Sequence, residues 1–398
     1  MKIYQDIENL PKNVPLYIFG ASEGGMIVKD VITRINDLNL AGFIDSNKNG
    51  MIDGFPILSP VEFFSKKPDD AVVLVASQYH HSISKKLIEN EFPNFINMYP
   101  FIYKVKSGNC LIKTNEKYSS EEYWTEFNVT SHHIFGNKEE SLKSLEWRNL
   151  QYLGYEDFMP THGCDGKVVL DYGCGPGHDL TSFAERSRPA RLIAMDVSHT
   201  SLAEARHRLS LHDKEVEWVK ISETLPNLPL PDASVDVVHS SGVLHHTPNP
   251  LQILKEFRRV LAPGGHGQIM VYNYDSVFMH LHIAYLEMLV EGKFPGLTLG
   301  EAFQRSTDGA NCPISVCYRP DEFIALCREA GFKAELTGVA VAMLEMQILP
   351  KRFDALLDTQ LPSEHRRFLY ELTFDEQGCP LYRGVRAGID ACFRLEPL

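Results

Sequence analysis

Lys167–Glu185 reads KVVLDYGCGPGHDLTSFAE. Val168 to Leu170 is a short, apolar, β-prone run that stops at Asp171. Gly173, Gly175 and Gly177 follow, and a helical pattern starts at about His178. Strand, glycine turn and helix open a βαβ unit with parallel strands. Glycines at this density let the backbone adopt positive φ and pass close to a ligand.

Working outward, the same rhythm continues. LIAMDVSHTSLAEARHRL predicts a second strand ending at Asp196, then a helix. VEWVKISETLPNLPLPDASVDVVHS predicts a third strand, a loop and a fourth strand. LQILKEFRRVLAPGGHGQIMVYN predicts a helix, a Pro-Gly-Gly turn and a fifth strand. A later helix, PDEFIALCREAGF, begins at Pro320, and a strand, KAELTGVAVAM, begins at Lys333. Its hairpin partner is expected in GVRAGIDACFRLE, where Ile389, Phe393 and Leu395 alternate with Asp390 and Arg394.

The order V-L-D-x-G-C-G-x-G, second-strand acid and Pro-Gly-Gly turn resembles class I S-adenosylmethionine-dependent methyltransferases, continuously from about Gly166 to Asn273. The loop G-V-L-H-H-T-x-N-P resembles their ubiquinone-biosynthesis-like branch. The resemblance implies S-adenosyl-L-methionine as cofactor. It places Asp196 on the ribose hydroxyls with Val197 beside it, Asp171 at the methionine amine, and Gly173, Gly175 and Gly177 beneath the cofactor. Ser240 and Gly242 would touch its methionine part. Ser222 stands where an acid is more usual near the adenine, so adenine recognition falls to Ser222, Glu223 or backbone groups. The residues also allow Asp196 a second reading as a helix cap, since Ser198 and His199 follow.

His245 and His246 are adjacent in that loop. A metal needs three or four converging ligands, and neighbours in one loop rarely aim at one ion, so no metal is expected. His245 is a candidate base because imidazole titrates near neutral pH, while His246 suits a bond within the fold.

The acceptor is expected above the C-terminal ends of the first, fourth and fifth strands. Two insertions, about 274–319 and 348–383, are expected to form a lid there, since long insertions in compact domains are usually functional. Tyr274 is a candidate catalytic residue, with Asn273, Thr307, Asp308 and Asn311 as candidate acceptor contacts. In-line methyl transfer mainly requires alignment and exclusion of water.

Upstream, LYIFGASEGGMIVKDVI and LAGFIDSN form another strand, glycine turn, helix and strand, ending at Asp45. The turn is G-x-x-x-G-G, a weak fingerprint, and Glu23 would oppose a phosphate there. From about Pro15 to Pro100 the chain resembles N-terminal Rossmann-like domains of sugar-nucleotide-modifying acyltransferases and related polysaccharide enzymes. Between the two regions, aromatic-rich amphipathic stretches predict helices over the second domain. They include a capping box at Ser119 and Glu122, with Tyr123 and Trp124 as possible ligand-lining rings.

The expected fold is therefore α/β: a seven-stranded Rossmann-like methyltransferase sheet with helical insertions, preceded by a smaller Rossmann-like domain. The expected boundaries are 1–105, a helical bridge at 106–165, and 166–398. The 398 residues carry a net charge of −13, which disfavours nucleic acid. The first residues show no secretory h-region, no apolar run is long enough to cross a bilayer, and the eight cysteines form no CxxC pair. A cytoplasmic, membrane-free enzyme is expected, with a homodimer possible and a small-molecule or glycan-precursor acceptor. Two alternatives stand beside it. In one, the N-terminal domain binds a sugar nucleotide and presents it to the methyltransferase half. In the other, the protein is a scaffold that holds the cofactor without transferring methyl.

Overall fold

The computed structural model describes residues 2–3, 10–33, 38–66, 68, 70–77, 80–98, 102, 119–129, 132–222, 227–309 and 312–398. The chain folds as two compact units, 1–115 and 116–398.

The first unit contains β1 (Lys2–Ile3), β2 (Pro15–Phe19), α1 (Glu23–Ile32), β3 (Asn39–Ile44), β4 (Gly50–Ile52), β5 (Phe55–Leu58), α2 (Pro60–Lys66), β6 (Val72–Val75), α3 (His80–Glu89) and β7 (Phe95–Asn97). Its sheet runs β1-β7-β6-β2-β3-β5-β4, parallel except where β4 turns back on β5. Leu16, Ile18, Phe43, Val73 and Leu74 are fully buried, as strands covered on both faces require. The helix starts at Glu23, so Gly24 and Gly25 lie in its first turn. A Cβ on Gly25 would come within 1.9 Å of the Gly20 carbonyl oxygen, so this glycine serves close packing of the turn on itself. The side chain of Glu23 lies outside the described residues.

The second unit begins with α4 (Ser120–Glu126), α5 (Lys138–Leu150), β8 (Tyr152–Leu153) and α6 (Tyr155–Phe158). The capping box at Ser119 and Glu122 is present. Then come β9 (Val168–Tyr172), α7 (His178–Arg186), β10 (Arg191–Asp196), α8 (His199–Ser210), β11 (Glu217–Lys220), β12 (Val235–Ser241), α9 (Pro250–Val260) and β13 (Leu261–Tyr272). The Pro-Gly-Gly segment lies within β13, opposite a register shift in β12. The chain continues through a wide π-type helix (Phe278–Val290), α10 (Leu299–Thr307), α11 (Pro320–Glu329) and β14 (Phe332–Ala342). Last are α12 (Met343–Ile348), α13 (Arg352–Leu357), α14 (Ser363–Tyr370), a small antiparallel sheet of β15 (Thr373–Phe374), β16 (Pro380–Tyr382) and β17 (Val385–Arg386), and β18 (Asp390–Pro397).

The main sheet runs β11-β10-β9-β12-β13-β18-β14-β8. Seven of these strands are those read from the sequence, and the two-residue β8 extends one edge. β18 lies antiparallel between β13 and β14, as the alternation in GVRAGIDACFRLE predicts. β14 ends at Ala342, earlier than the expected start of the second insertion, because Glu345 accepts the Ala342 N–H and opens a helix there. The two excursions share one core: Val277, Leu281 and Ala284 pack with Leu349, Leu361, Phe368 and Leu369. Glu345 ties them to the sheet by also accepting the Phe278 and Ile389 N–H groups, at 2.8 and 3.0 Å. Burial nonetheless pushes its carboxyl up to about 8, against the pull of those three N–H groups.

Candidate active site

The strand ends converge as parallel α/β topology dictates, at the crevice where the strand order reverses around β9 and β12. Asp171 sits near the end of β9, opposite His239 of β12, and is 2% exposed. Among the described residues its Oδ2 is buried without a partner, and burial lifts its carboxyl to about 7. Ser240 is fully buried, and its hydroxyl also lacks a partner among the described residues.

The glycine turn is built on the Asp196 carboxylate. Its Oδ2 accepts the Gly175 N–H at 2.8 Å and its Oδ1 accepts the Ser198 N–H at 2.7 Å. Burial raises this carboxyl, while those N–H groups and that of Val197 oppose the rise. Gly173 has φ +75°, and a Cβ there would come within 2.2 Å of Val243. Gly175 has φ +52° with open space where its Cβ would be. Gly177 has φ +84° and packs against Ala205 of α8. Gly242 has φ +75°, Val197 packs on the main core, and half-buried Ser222 follows β11. Glu223 lies outside the described residues.

His245 is fully buried and its ring stacks on Tyr272 at 3.8 Å. Its Nδ1 accepts the Tyr272 N–H at 3.2 Å. That bond puts the proton of the neutral ring on Nε2, which is buried without a partner. Burial, with His246 adding to it, holds the imidazole well below its ordinary value. The base expected at His245 therefore has no free lone pair, and the ring instead offers a buried N–H. His246 donates from Nδ1 to the Ile314 carbonyl at 2.8 Å, and its ring lies 4.8 Å from that of Trp124.

The acceptor-side expectations divide. Asp308 lies at the site: its Oδ1 accepts the Tyr272 hydroxyl at 2.9 Å and its Oδ2 the Ser315 hydroxyl at 2.7 Å. Thr307, just before it, has a buried hydroxyl with no partner among the described residues. Asn273 is spent on structure, since its Nδ2 donates to the Asp275 and Gly388 carbonyls and its Oδ1 accepts the Asp275 N–H. Tyr274 turns toward the insertions: its hydroxyl reaches Glu364 at 3.2 Å and the Arg319 guanidinium sits 4.0 Å over its ring. Burial beside Glu364 pushes that phenol up to about 12, far from a working base. Asn311 lies outside the described residues.

Among the described residues, His246, Asp308 and Cys312 have ligand atoms within 4.8 Å of one another. His246 donates from Nδ1 to Ile314, which leaves the lone pair of the neutral ring on Nε2, 3.6 Å from Asp308 Oδ1; the Asp308 oxygens accept the Tyr272 and Ser315 hydroxyls, and burial pushes the Cys312 thiol up, away from the thiolate a metal would need.

A polar network that no local motif announces lies beneath the crevice. Asp179 of α7 accepts from Arg148, from the Tyr155 hydroxyl at 2.7 Å and from His239 Nε2 at 3.1 Å. Burial alone would raise this carboxyl, but Arg148 and His239 hold it well below the ordinary value. A second hydrogen bond joins the Tyr155 hydroxyl to Ser241 at 2.7 Å. Arg148 keeps one buried N–H, on Nε, without a partner. Asp390, the first residue of β18, is 3% exposed, and no described residue hydrogen-bonds its carboxylate. Burial pushes it up to about 7, with Arg148 alone opposing the rise.

Residues 170–269 match the methyltransferase domain family, and residues 15–76 match the PglD N-terminal domain family. A trans-aconitate 2-methyltransferase of Azoarcus is 35% identical, over 33% of this chain and 53% of the relative. A ubiquinone biosynthesis O-methyltransferase of Idiomarina loihiensis is 38% identical, over 26% of this chain and 42% of the relative. The chain thus spans about a third to a half of the length of the curated relatives it matches. The solved geranyl diphosphate C-methyltransferase of Streptomyces coelicolor is 13% identical, over 70% of this chain and 96% of that one, with a TM-score of 0.40. No helix among the described residues is long and apolar enough to cross a membrane. The second unit carries a domain of the class I S-adenosylmethionine-dependent methyltransferase family, in a chain whose N-terminal unit is of the PglD kind.

Proposed function

We propose that the second unit transfers a methyl group from S-adenosylmethionine to a small-molecule acceptor. The observation that carries this reading is the set of buried, unpartnered polar atoms around the glycine turn: Asp171 Oδ2, Ser240 Oγ and Arg148 Nε. Burying such groups unpaired is costly, and a ligand with an amine, a carboxylate and hydroxyls would satisfy them. Gly175 leaves room for that ligand, so the residues fit the cofactor.

When bound, the sulfonium supplies an activated methyl group. Asp171 would hold the methionine amine, Arg148 Nε the methionine carboxylate, and Asp196 the ribose hydroxyls. Gly173, Gly175 and Gly177 would pass beneath the cofactor, with Val197, Ser222 and Glu223 toward the adenine. Ser240 and Gly242 would flank the methyl donor. The His245 ring, locked on Tyr272, stiffens the loop beside the transfer point. The two insertions, sharing one core and touching the sheet through Asp308 and Tyr272, would exclude water and align the acceptor.

Titration of the intact chain with demethylated cofactor tests this reading. Binding that Asp196→Ala weakens by about a thousandfold is expected. No binding, or equal binding by the variant, overturns it.

A second reading rests on the PglD-type match at residues 15–76. In it the acceptor is a glycan precursor or sugar nucleotide presented by the N-terminal unit. Methyl transfer to nucleotide sugars that is faster than to the free sugars would favour it.

A further inference from the structure

The methyl-transfer reading leaves Asp390 without work, although it is buried at the active-site end of the sheet. We propose that Asp390 is the acceptor-side base, and that the acceptor attacks through a proton-bearing O–H or N–H group and not through a carboxylate. The inference rests on the methyl-transfer reading and deepens it.

The sheet register places Asp390. It pairs with Tyr272 of β13 and Ala340 of β14 in antiparallel ladders. Directly opposed residues project from the same face, with Cβ atoms about 4.5–5.5 Å apart. Tyr272 is the residue whose ring stacks on His245 and whose hydroxyl meets Asp308. Asp390 thus sits two strands beyond β12, on the acceptor side of the β9–β12 crevice, on the face that carries Met270 and Cys392 and is covered by Tyr152, Tyr155 and Phe158.

The groups around it are nearly all acidic or phenolic. Tyr152 on β8 feels Asp390 more than any other charge, with Glu345 and Asp308 adding to it. Tyr272 feels Asp308 first and Asp390 next. Cys317 feels Asp275, Asp308, Glu345 and Asp390, and Cys392 feels Asp390 and Asp179. Arg148 is the cation among the described residues whose charge reaches Asp390, and it is already paired with Asp179. An anionic acceptor would meet several carboxylates and, among the described residues, no uncommitted cation whose charge reaches Asp390. A hydroxyl or amine would give Asp390 the hydrogen bond it lacks. A buried carboxylate without a partner is expensive to keep, and active sites are where such groups persist.

The step balances. The acceptor lone pair forms a C–O or C–N bond to the methyl carbon, and the S–CH3 bond breaks with its electron pair passing to sulfur. The acceptor's proton passes to an Asp390 oxygen and leaves to solvent with product release.

The test uses the intact chain and three analogues of the demethylated cofactor in which nitrogen replaces sulfur. The nitrogen carries a 3-aminopropyl, 3-hydroxypropyl or 2-carboxyethyl arm reaching into the acceptor space. At pH 8 the amino and hydroxy arms should bind about tenfold or more tighter than the carboxy arm. Asp171 meets the methionine part common to all three, so its titration cancels in the comparison. At pH 5.5, with Asp390 protonated, the preference should shrink by about threefold or more. Asp390→Asn should erase the preference at pH 8 while plain demethylated cofactor binds as before. Equal or tighter binding of the carboxy arm by the wild type overturns the proposal. So does a preference unchanged in Asp390→Asn. Should that variant not fold, a wild-type preference unchanged from pH 8 to 5.5 overturns it. Failure of plain demethylated cofactor to bind the wild type overturns the methyl-transfer reading and this one together, whereas binding without discrimination overturns this one alone.

Discussion

The chain contains two strand–glycine turn–helix units, and they differ in what they leave unsatisfied. In the first unit Asp45 accepts the Ala21, Asn47 and Lys48 N–H groups at 2.8–3.0 Å, and the Lys48 ammonium donates to the Ala21 carbonyl at 2.7 Å. Gly25 packs on the Gly20 carbonyl, so the turn closes on its own atoms. In the second unit Asp196 holds its turn in a similar way, but the neighbouring Asp171 and Ser240 keep buried polar atoms without partners. Shared topology therefore does not imply shared function, and the difference lies in unfilled hydrogen-bonding capacity.

The sharpest way to break this comparison is to remove the second-strand acid from each unit. Asp196→Ala should weaken binding of demethylated cofactor by about a thousandfold, since it removes charge-assisted bonds to two hydroxyls and loosens the turn. Asp45→Ala should leave that affinity unchanged. Calorimetric titration of both variants decides it.

Glycine substitutions come next. Gly173→Ala should cost roughly 3 kcal/mol, because it combines a positive φ with a Cβ 2.2 Å from Val243. Gly25→Ala should cost a similar amount, by the 1.9 Å approach to the Gly20 oxygen, without changing cofactor affinity. Differential scanning calorimetry with and without demethylated cofactor checks both. Only the transition that the ligand raises should move in Gly173→Ala.

The two units also differ in how much of them the sequence shows. Asp171, the three glycines and Asp196 are legible because a ligand-binding turn and its acid lie within one strand–helix–strand stretch. The capping box at Ser119 and the position of β18 are legible because spacing alone specifies them. Arg148 and Asp390 are not, since each reaches the crevice through tertiary register and no neighbour in the chain marks it. The pattern also misleads where polar residues have local work. Asn273 and Tyr274 stand at the end of β13 as acceptor contacts would, yet Asn273 holds its own turn and Tyr274 braces the insertions. For His245 the loop position is legible and the tautomer is not, because the bond to the Tyr272 N–H depends on a strand 27 residues on.

A comparable effect sharpens what unfilled capacity means at Asp171. Burial pushes its folded carboxyl up to about 7 from the ordinary 3.8. The folded state therefore holds more protons than the unfolded state between those values, and stability falls as pH rises through that window. Asp171→Asn removes the loss. The variant should match the wild type near pH 4 and exceed it by roughly 2–4 kcal/mol above pH 7. Its affinity for demethylated cofactor should nevertheless drop. Urea unfolding across pH, paired with titration, would show stability and binding moving in opposite directions, and a variant that merely loosens the fold would lose both.

The smallest expected effect bears on the first unit. If its turn is a closed structural element, Lys48→Ala removes one part-buried contact to the Ala21 carbonyl and should cost under about 1 kcal/mol. It should also open no site, because Asp45 still fills the turn N–H groups and its charge opposes a phosphate. Titration with uridine diphosphate should give no heat in the wild type or in the variant. Binding that appears only in Lys48→Ala would mean that the ammonium masks a nucleotide site, and binding in the wild type would show that filled hydrogen bonds do not mark an idle turn. Either outcome dissolves the contrast between the two turns, because it separates ligand binding from the unsatisfied atoms on which the contrast depends.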